Sequence, residues 1–227
     1  MNLKSLTINE DELANNPSPR IPICLVLDTS KSMYGAAIKE LNNGVSLFMS
    51  AILDDEVTRY SAELSVITFG GVVHNVIEFG SIENQKIPKF KAYGGTLMGE
   101  AIETTLDLLD ERKKEYQKAG VDYFQPWMII MTDGRPGDNI NNVITQITEL
   151  IKKRKLTLFP IAIGEKADLS ILSKLSPEKK PLKLKGLKFN EFFQWLSRSV
   201  SVVSQSIPGE KIELDIEGLK EWASLEI

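Results

Sequence analysis

The sequence contains one cysteine, Cys24, and one histidine, His74, among its 227 residues. A single cysteine cannot form an internal disulfide or a thiolate metal cluster. Cys24 lies inside the first predicted strand, where we expect it to be buried. A histidine with no second histidine or cysteine nearby is more often structural than a zinc ligand. We therefore expect His74 to be structural rather than a zinc ligand.

Long apolar runs and strong net charge are also missing. No stretch of about 18 consecutive apolar residues occurs, which excludes a spanning helix. The N-terminus is polar and acidic, so no secretory signal is visible and we expect a cytoplasmic protein. The net charge of −4 gives no reason to expect nucleic acid or an anionic membrane as partner. The composition is that of an ordinary globular protein, with 42% hydrophobic and 26% charged residues.

Apolar strands alternate with amphipathic helices along most of the chain. Strands are predicted near residues 22–27, 64–69, 72–77, 127–132 and 156–163, with a short extended segment at 182–184. Helical stripes are predicted over Ile38–Ile52, Met98–Leu109, Ile140–Ile151, 168–175 and Phe189–Val203, the second ending in the charged run Asp110–Lys114. The pattern predicts an α/β, doubly wound and mainly parallel central sheet of Rossmann-like form, with helices on both faces. Gly70-Gly71 predicts a two-residue hairpin turn that supplies one antiparallel edge strand.

The domain organisation follows from these segments. Residues 1–19 form a polar leader, 20–205 form one domain, and 206–227 form a C-terminal tail. Alternating Ile212, Leu214 and Ile216 predict an added edge strand in that tail. We expect the tail to pack back on the domain, and the alternative is a partner-binding tail.

Oxygen-bearing side chains follow two predicted strands and open one predicted helix. The apolar run Ile23–Leu27 leads into Asp28-Thr29-Ser30-Lys31-Ser32, and Trp127–Met131 leads into Thr132-Asp133-Gly134. Gly94-Gly95-Thr96 stands directly before a helical run. A doubly wound sheet brings such segments together beyond the carboxyl ends of its strands. Carboxylates and hydroxyls suit Mg²⁺ or Ca²⁺, so a metal site is predicted. The alternative is that Asp28 or Ser30 only caps the following helix.

The chain resembles a known family through these motifs. Asp28-x-Ser30-x-Ser32, Thr96 after two glycines, and Asp133-Gly134 after a strand are similar to the metal-ion-dependent adhesion site (MIDAS) of von Willebrand factor A (VWA) domains. The resemblance covers about residues 20–205. Short strings at 16–22, 94–102 and 206–210 further resemble stand-alone bacterial TerY-type proteins, which are named for tellurium resistance.

The resemblance implies a ligand set and a partner. Mg²⁺, with Mn²⁺ or Ca²⁺ as alternatives, would be held by Asp28, Ser30, Ser32, Thr96 and Asp133, the carboxylates directly or through water. An acidic side chain of a protein partner would replace one metal-bound water. The exposed partner-binding rim would comprise Lys31, Met33, Tyr34, Tyr93 and Arg135. Lys31 departs from the family pattern, which usually has glycine at this position.

Two classes of function compete, and we favour a non-enzymatic adaptor. The TerY-type resemblance implies a protein kinase and a PP2C-like phosphatase as neighbours, hence phosphorylation-linked stress signalling. The alternative is a magnesium-dependent hydrolase or phosphoryl-transfer enzyme. Against it, position 30 is serine where a dehalogenase-type phosphatase needs a second aspartate, and no phosphate-cradling glycine loop is present. A third interpretation is a scaffold with an idle site, in which Lys31 supplies the positive charge.

Overall fold

A seven-stranded sheet forms the centre of the computed structural model. The described part comprises residues 13, 16–164, 167–177, 180–210, 212, 214 and 219–225. Its strands are β1 (Ile21–Asp28), β2 (Ala62–Gly70), β3 (Val72–Ile77), β4 (Trp127–Thr132), β5 (Thr157–Ala162), β6 (Leu182–Leu184) and β7 (Ala223–Leu225). They lie in the order β3-β2-β1-β4-β5-β6-β7. The five central strands are parallel, and β3 and β7 are antiparallel to their neighbours.

Helices cover both faces of this sheet. They are α1 (Ala36–Asp54), α2 (Thr58–Ser61), α3 (Met98–Ala119), α4 (Asn141–Lys152), α5 (Leu169–Leu175), α6 (Phe189–Ser204) and α7 (Leu219–Trp222). Helices α1 and α6 share one core with alternate residues of β1, whereas α3, α4 and α5 share the other core with the remaining ones. Every residue of β1 is buried, which explains its continuous apolar run. The predicted doubly wound α/β fold is confirmed.

Cys24 belongs to the core on the α3 side of β1, as expected from the sequence. Burial raises the pKa of its thiol to about 12, because the thiolate would lose its hydration. The neighbouring hydroxyl groups of Thr105, to which the thiol donates a weak hydrogen bond, and of Ser65 oppose this rise only in part. Cys24 is therefore an inert packing residue at neutral pH.

The sheet has two antiparallel edge strands rather than the one that was predicted. Strand β3 is the edge expected from the hairpin, and β7 pairs with β6 at the opposite edge. The tail strand seen in the described part is Ala223–Leu225. Ile212 and Leu214, which were predicted to form it, lie outside this strand, and the remaining residues of the predicted strand (213, 215 and 216) lie outside the described part. Trp222 explains the shift, because it is buried against Phe192 and Trp195 and brings the next residues beside β6. Of the predicted leader, residues 1–12, 14 and 15 also lie outside the described part.

Helix α3 is longer than predicted, because its charged run does not face water throughout. The helix continues to Ala119, and Arg112 and Tyr116 are buried. Both reach Glu63 near the start of β2: Arg112 Nε donates over 2.7 Å and the Tyr116 hydroxyl over 2.6 Å. Arg20 Nε donates to the other carboxylate oxygen over 3.1 Å. Glu63 on the sheet thus accepts hydrogen bonds from Arg112 and Tyr116, so this polar part of α3 is packed inside the protein rather than exposed to water.

Close contact between α1 and α6 requires Gly44. A Cβ atom at this position would lie 2.5 Å from Cδ2 of Phe193 and 3.1 Å from Cβ of Phe189, both in the buried core. We expect Gly44→Ala to lower the free energy of unfolding by about 1–2 kcal/mol, because overpacking outweighs the better helix propensity of alanine. Urea denaturation measures the change. Ser50→Ala on the exposed face of α1 is the control, and an equal or larger loss there would contradict this account.

Candidate metal centre

Asp28 and Asp133 lie at the point where the strand order reverses. β1 pairs with β2 on one side and with β4 on the other, and Leu27 is in register with Met131. The chain leaves these neighbouring strands in opposite directions, so a crevice opens beyond their carboxyl ends. Asp28 is the last residue of β1, and Asp133 directly follows β4. The topology alone therefore brings the two carboxylates together.

Hydrogen bonds fix the Asp28 carboxylate, which is fully buried. Oδ1 accepts the backbone N–H of Ser30 over 2.8 Å, and Oδ2 accepts the hydroxyl of Thr132 over 2.5 Å. Thr132 Oγ1 in turn accepts the N–H of Gly134 over 3.1 Å. Asp28 thus orders its own loop, but it does not cap α1, which follows Gly35 without any side-chain cap. Ser30 precedes the short turn Lys31–Met33 and makes no side-chain cap bond to it either, so the structure does not support the capping alternative for Asp28 or Ser30.

A chain of hydroxyls links the loop after Asp28 to Asp133. The oxygens of Ser30 and Ser32 are 2.9 Å apart, and the Ser32 hydroxyl donates to Asp133 Oδ1 over 2.7 Å. Thr96 also reaches this place: a Cβ on Gly134 would lie 3.7 Å from Thr96 Oγ1 and 3.9 Å from Ser32 Oγ. The small glycine leaves the space beside both hydroxyls free. The structure therefore gathers the five oxygen-bearing residues that the sequence predicted.

Backbone hydrogen bonds hold the Thr96 loop in position. Lys31 N–H donates to Gly94 O over 3.0 Å, Tyr93 N–H to Thr29 O over 2.8 Å, and Gly71 N–H to Gly95 O over 2.9 Å. Gly94 has φ +68°, and a Cβ there would lie 2.3 Å from the Cα of Gly71.

The turn between β2 and β3 is shorter than the predicted two-residue turn. Gly70 pairs with Val72 and belongs to β2, so Gly71 alone links the two strands.

The carboxylates of Asp28 and Asp133 give the crevice its electrostatic character. Burial raises the pKa of Asp28, and the charge of Asp133 raises it further, while the hydrogen bonds from Thr132 and Ser30 oppose the rise. Within the described residues, neither aspartate forms an ion pair with a basic side chain. A divalent cation would compensate both charges.

The donor set fits a hard cation. No group of three or more histidine, cysteine or acidic side chains is placed for a metal in the described ranges, so hydroxyls and waters must complete the coordination. The 2.9 Å and 2.7 Å between successive oxygens of Ser30, Ser32 and Asp133 are hydrogen-bond lengths, which show that two hydroxyls and a carboxylate are gathered in one place. Oxygen donors of this kind suit hard cations such as Mg²⁺ or Ca²⁺.

Four of the five predicted rim residues are exposed around this crevice. They are Lys31, Tyr34, Tyr93 and Arg135, and Arg135 Nε also pairs with Asp168 Oδ2 over 2.8 Å. Met33 was predicted in the rim, but it is fully buried and contributes to the core on the α1 side of the sheet. The short 3₁₀ turn over Lys31–Met33 explains this, because one turn directs Lys31 and Met33 to opposite sides.

Thr132 is the site residue that the sequence interpretation did not single out. It ends β4, and only the register with β1 places its hydroxyl on Asp28. A hydroxyl at the end of a buried strand, directly before an aspartate, is the one signal that the sequence offered.

Comparison with known proteins agrees with this geometry. The family model for the von Willebrand factor type A domain matches residues 23–192. The chain belongs to this family. VWA domains are mainly interaction modules, with metal-dependent roles in binding other proteins. In the described residues of this member, no helix is both long and apolar enough to cross a membrane.

Individual relatives of this VWA protein are distant. Human inter-alpha-trypsin inhibitor heavy chain H6 is 23% identical over 161 residues, which cover 69% of the chain but only 12% of that protein. Manganese-loaded TRAP protein of Plasmodium vivax superposes with TM-score 0.53 and 21% identity, covering 70% of this chain and 63% of that one. BatB of Bacteroides thetaiotaomicron gives TM-score 0.55 and 14% identity, covering 82% and 100%. At these identities the solved structures show the shared fold.

Proposed function

We propose that this VWA protein is a metal-dependent protein-binding module. Mg²⁺ or Mn²⁺ would be held by Asp28, Ser30, Ser32, Thr96 and Asp133, and an acidic side chain of the partner would complete the coordination. The observation that carries the proposal is the set of hydroxyls and carboxylates that three loops bring together, with no basic partner for its two charges among the described residues. The manganese-loaded state of the Plasmodium vivax TRAP protein, which shares the fold, supports the choice of ion.

Each residue has a distinct task in this proposal. Asp28 and Asp133 would supply the negative charge, and Ser30, Ser32 and Thr96 would supply neutral hydroxyl oxygens to the cation. Thr132 and the Ser30 N–H hold the Asp28 carboxylate in one orientation, so little side-chain freedom remains to be lost on binding. The bound ion supplies a positive charge that attracts a carboxylate of the partner.

The same geometry supports an adaptor rather than an enzyme. The only histidine, His74, is exposed on edge strand β3, whereas the crevice lies beyond the ends of β1 and β4. The serines of the crevice therefore have no imidazole that would act as general base. Position 30 carries a hydroxyl where phosphoryl transfer through an aspartate pair would need a carboxylate.

Narrower proposals rest on the sequence and its TerY-type resemblance rather than on this geometry. They are a cytoplasmic location, a kinase and a PP2C-like phosphatase as partners, and a role in phosphorylation-linked signalling or tellurium resistance. Capture of either enzyme by immobilised protein in Mg²⁺, and its release by chelator, would support the partner assignment. Capture that chelator leaves unchanged would count against it.

Calorimetric titration tests the metal site directly. We expect chelator-stripped protein to bind Mg²⁺ or Mn²⁺ with one site per chain, and Asp28→Ala to abolish the saturable heat. Asp110→Ala is the matched control, because this aspartate is exposed on α3 and pairs only with nearby lysines. Wild-type protein that binds neither ion, or an Asp28→Ala variant that binds as well as wild type, would contradict the proposed site.

A further inference from the structure

An apolar cleft adjoins the metal centre on one side. It is lined by Lys31, Tyr34, Ala92, Tyr93 and Gly94, and most of its exposed wall is apolar. Lys31 stands between the two serines of the site, and its N–H donates to Gly94 O over 3.0 Å. The cleft and the metal centre therefore share one loop, and a single bound segment can contact both.

Two exposed tyrosines form the sides of this cleft. Tyr34 is 81% exposed and Tyr93 44% exposed, although large aromatic side chains are usually covered. Their position suits contact with another molecule, since tyrosine is enriched where proteins dock. An aliphatic or aromatic side chain buried between them would strengthen binding, because its apolar surface is removed from water.

Lys31 gives the cleft its charge preference. The side chain is exposed and forms no ion pair with any described residue, whereas Arg135 on another part of the rim is paired with Asp168. A bound divalent ion would add positive charge at the same border. Electrostatic complementarity therefore favours an acidic segment over a neutral or basic one.

We infer that the partner presents an acidic peptide segment with a large apolar side chain within two residues of its metal-binding carboxylate. The apolar side chain would lie between Tyr34 and Tyr93, and a second acidic residue would face Lys31. This inference rests on the proposed function, because the carboxylate contact needs the metal. It adds a sequence preference that the metal contact alone does not give.

An array of short synthetic peptides tests this preference. Each peptide carries one central aspartate in a glycine-serine background, and the two positions on either side are replaced singly by phenylalanine, leucine, glutamate, lysine or glycine. In Mg²⁺ we expect phenylalanine or leucine to increase binding about tenfold over glycine, which corresponds to about 1.4 kcal/mol. Glutamate should strengthen binding and lysine weaken it. Equal binding of apolar and glycine-flanked peptides, or no binding to any, would overturn the inference.

Variants separate the cleft from the metal site. Tyr34→Ala should remove the advantage of the apolar peptides, and Lys31→Glu should remove or reverse the preference for glutamate over lysine. The control is Tyr60→Ala. Tyr60 is 46% exposed in α2, before the start of β2 and so at the end of the sheet away from the cleft. Its removal should change neither the apolar preference nor the charge preference. Calorimetric Mg²⁺ titration of wild type and of each variant distinguishes the two failures. A wild type that does not bind Mg²⁺ contradicts the proposed function, whereas Mg²⁺ binding without a preference for apolar peptides contradicts only the inference about the cleft.

Discussion

Replacing Glu63 by alanine is expected to lower the free energy of unfolding by about 3–5 kcal/mol, the typical cost of removing one member of a buried charged group. The carboxylate is nearly inaccessible and receives Arg20, Arg112 and the Tyr116 hydroxyl. Its loss leaves two buried guanidinium groups with less compensation. Arg112 has only Glu115 as a further acidic partner, and its Nη2 atom is already buried without a hydrogen bond in the described structure.

Two further variants isolate the effect of burial. Glu149→Ala removes an ion pair in which both side chains are 61% exposed, and should cost no more than about 0.5 kcal/mol. Glu63→Gln keeps the shape and one acceptor and should fall between the two alanine variants. Urea denaturation followed by circular dichroism gives the free energies. If Glu63→Ala were no more destabilising than Glu149→Ala, the buried cluster would not stabilise the fold as described.

We expect the Asp28→Asn variant to be more stable than wild type in chelator and less stable than wild type in magnesium. In chelator the variant should melt higher, because it removes a buried charge whose desolvation and repulsion by Asp133 are only partly offset. We expect a gain of about 1–3 kcal/mol, or about 2–4 °C for each kcal/mol in a domain of this size. At a metal concentration one thousand times Kd, wild type should gain about 4.1 kcal/mol and the variant nothing, which exceeds the advantage of the variant in chelator.

In chelator, the stability difference between wild type and Asp28→Asn should depend on pH. Because the pKa of Asp28 is raised in the folded state, the folded protein binds this proton more tightly than the unfolded chain does. The contribution of Asp28 to stability is therefore complete below its unfolded pKa of about 3.9, and is lost as the pH rises through the folded pKa. The melting temperatures of wild type and Asp28→Asn should converge toward pH 4 and separate toward neutral pH.

Thermal melts in chelator and in magnesium, at acidic and neutral pH, complete the test. Asp110→Ala serves again as control, since its carboxylate is exposed and should not change the response to metal. If wild type were the more stable protein in chelator at neutral pH, the Asp28 carboxylate would be well compensated without a metal. The case for a cation at this site would then lose its electrostatic basis.

Local patterns were sufficient for most of the fold. The apolar stripes of α1, α4 and α6 and the buried run of β1 were found from spacing alone, because burial on a sheet imposes a fixed periodicity on each element. Asp28 and Asp133 could be paired from the sequence for a related reason. Parallel strands of a doubly wound sheet end at the same edge, so residues that follow two such strands become neighbours whatever the intervening chain contains.

Contacts between distant segments could not be predicted in the same way. The run Asp110–Lys114 is polar, and only the position of Glu63 on β2 makes Arg112 and Tyr116 interior residues. Met33 follows two site residues in sequence, yet a single 3₁₀ turn directs it into the core. The second edge strand likewise depends on the packing of Trp222 against Phe192 of α6. The pattern of apolar residues in the tail does not predict this contact, because Phe192 lies in a distant segment of the chain.

The sequence by itself determined the class of fold and the identity of the oxygen-bearing residues, since both follow from short-range patterns and a general rule about strand ends. Only the tertiary structure decided how those residues are held. The Thr132 hydroxyl lies on Asp28 because β1 and β4 are in register, and Thr96 is fixed by backbone hydrogen bonds to the loops of Lys31 and Gly71. Such contacts depend on where distant segments of the chain lie relative to one another. The pattern of side chains within a single segment does not specify this.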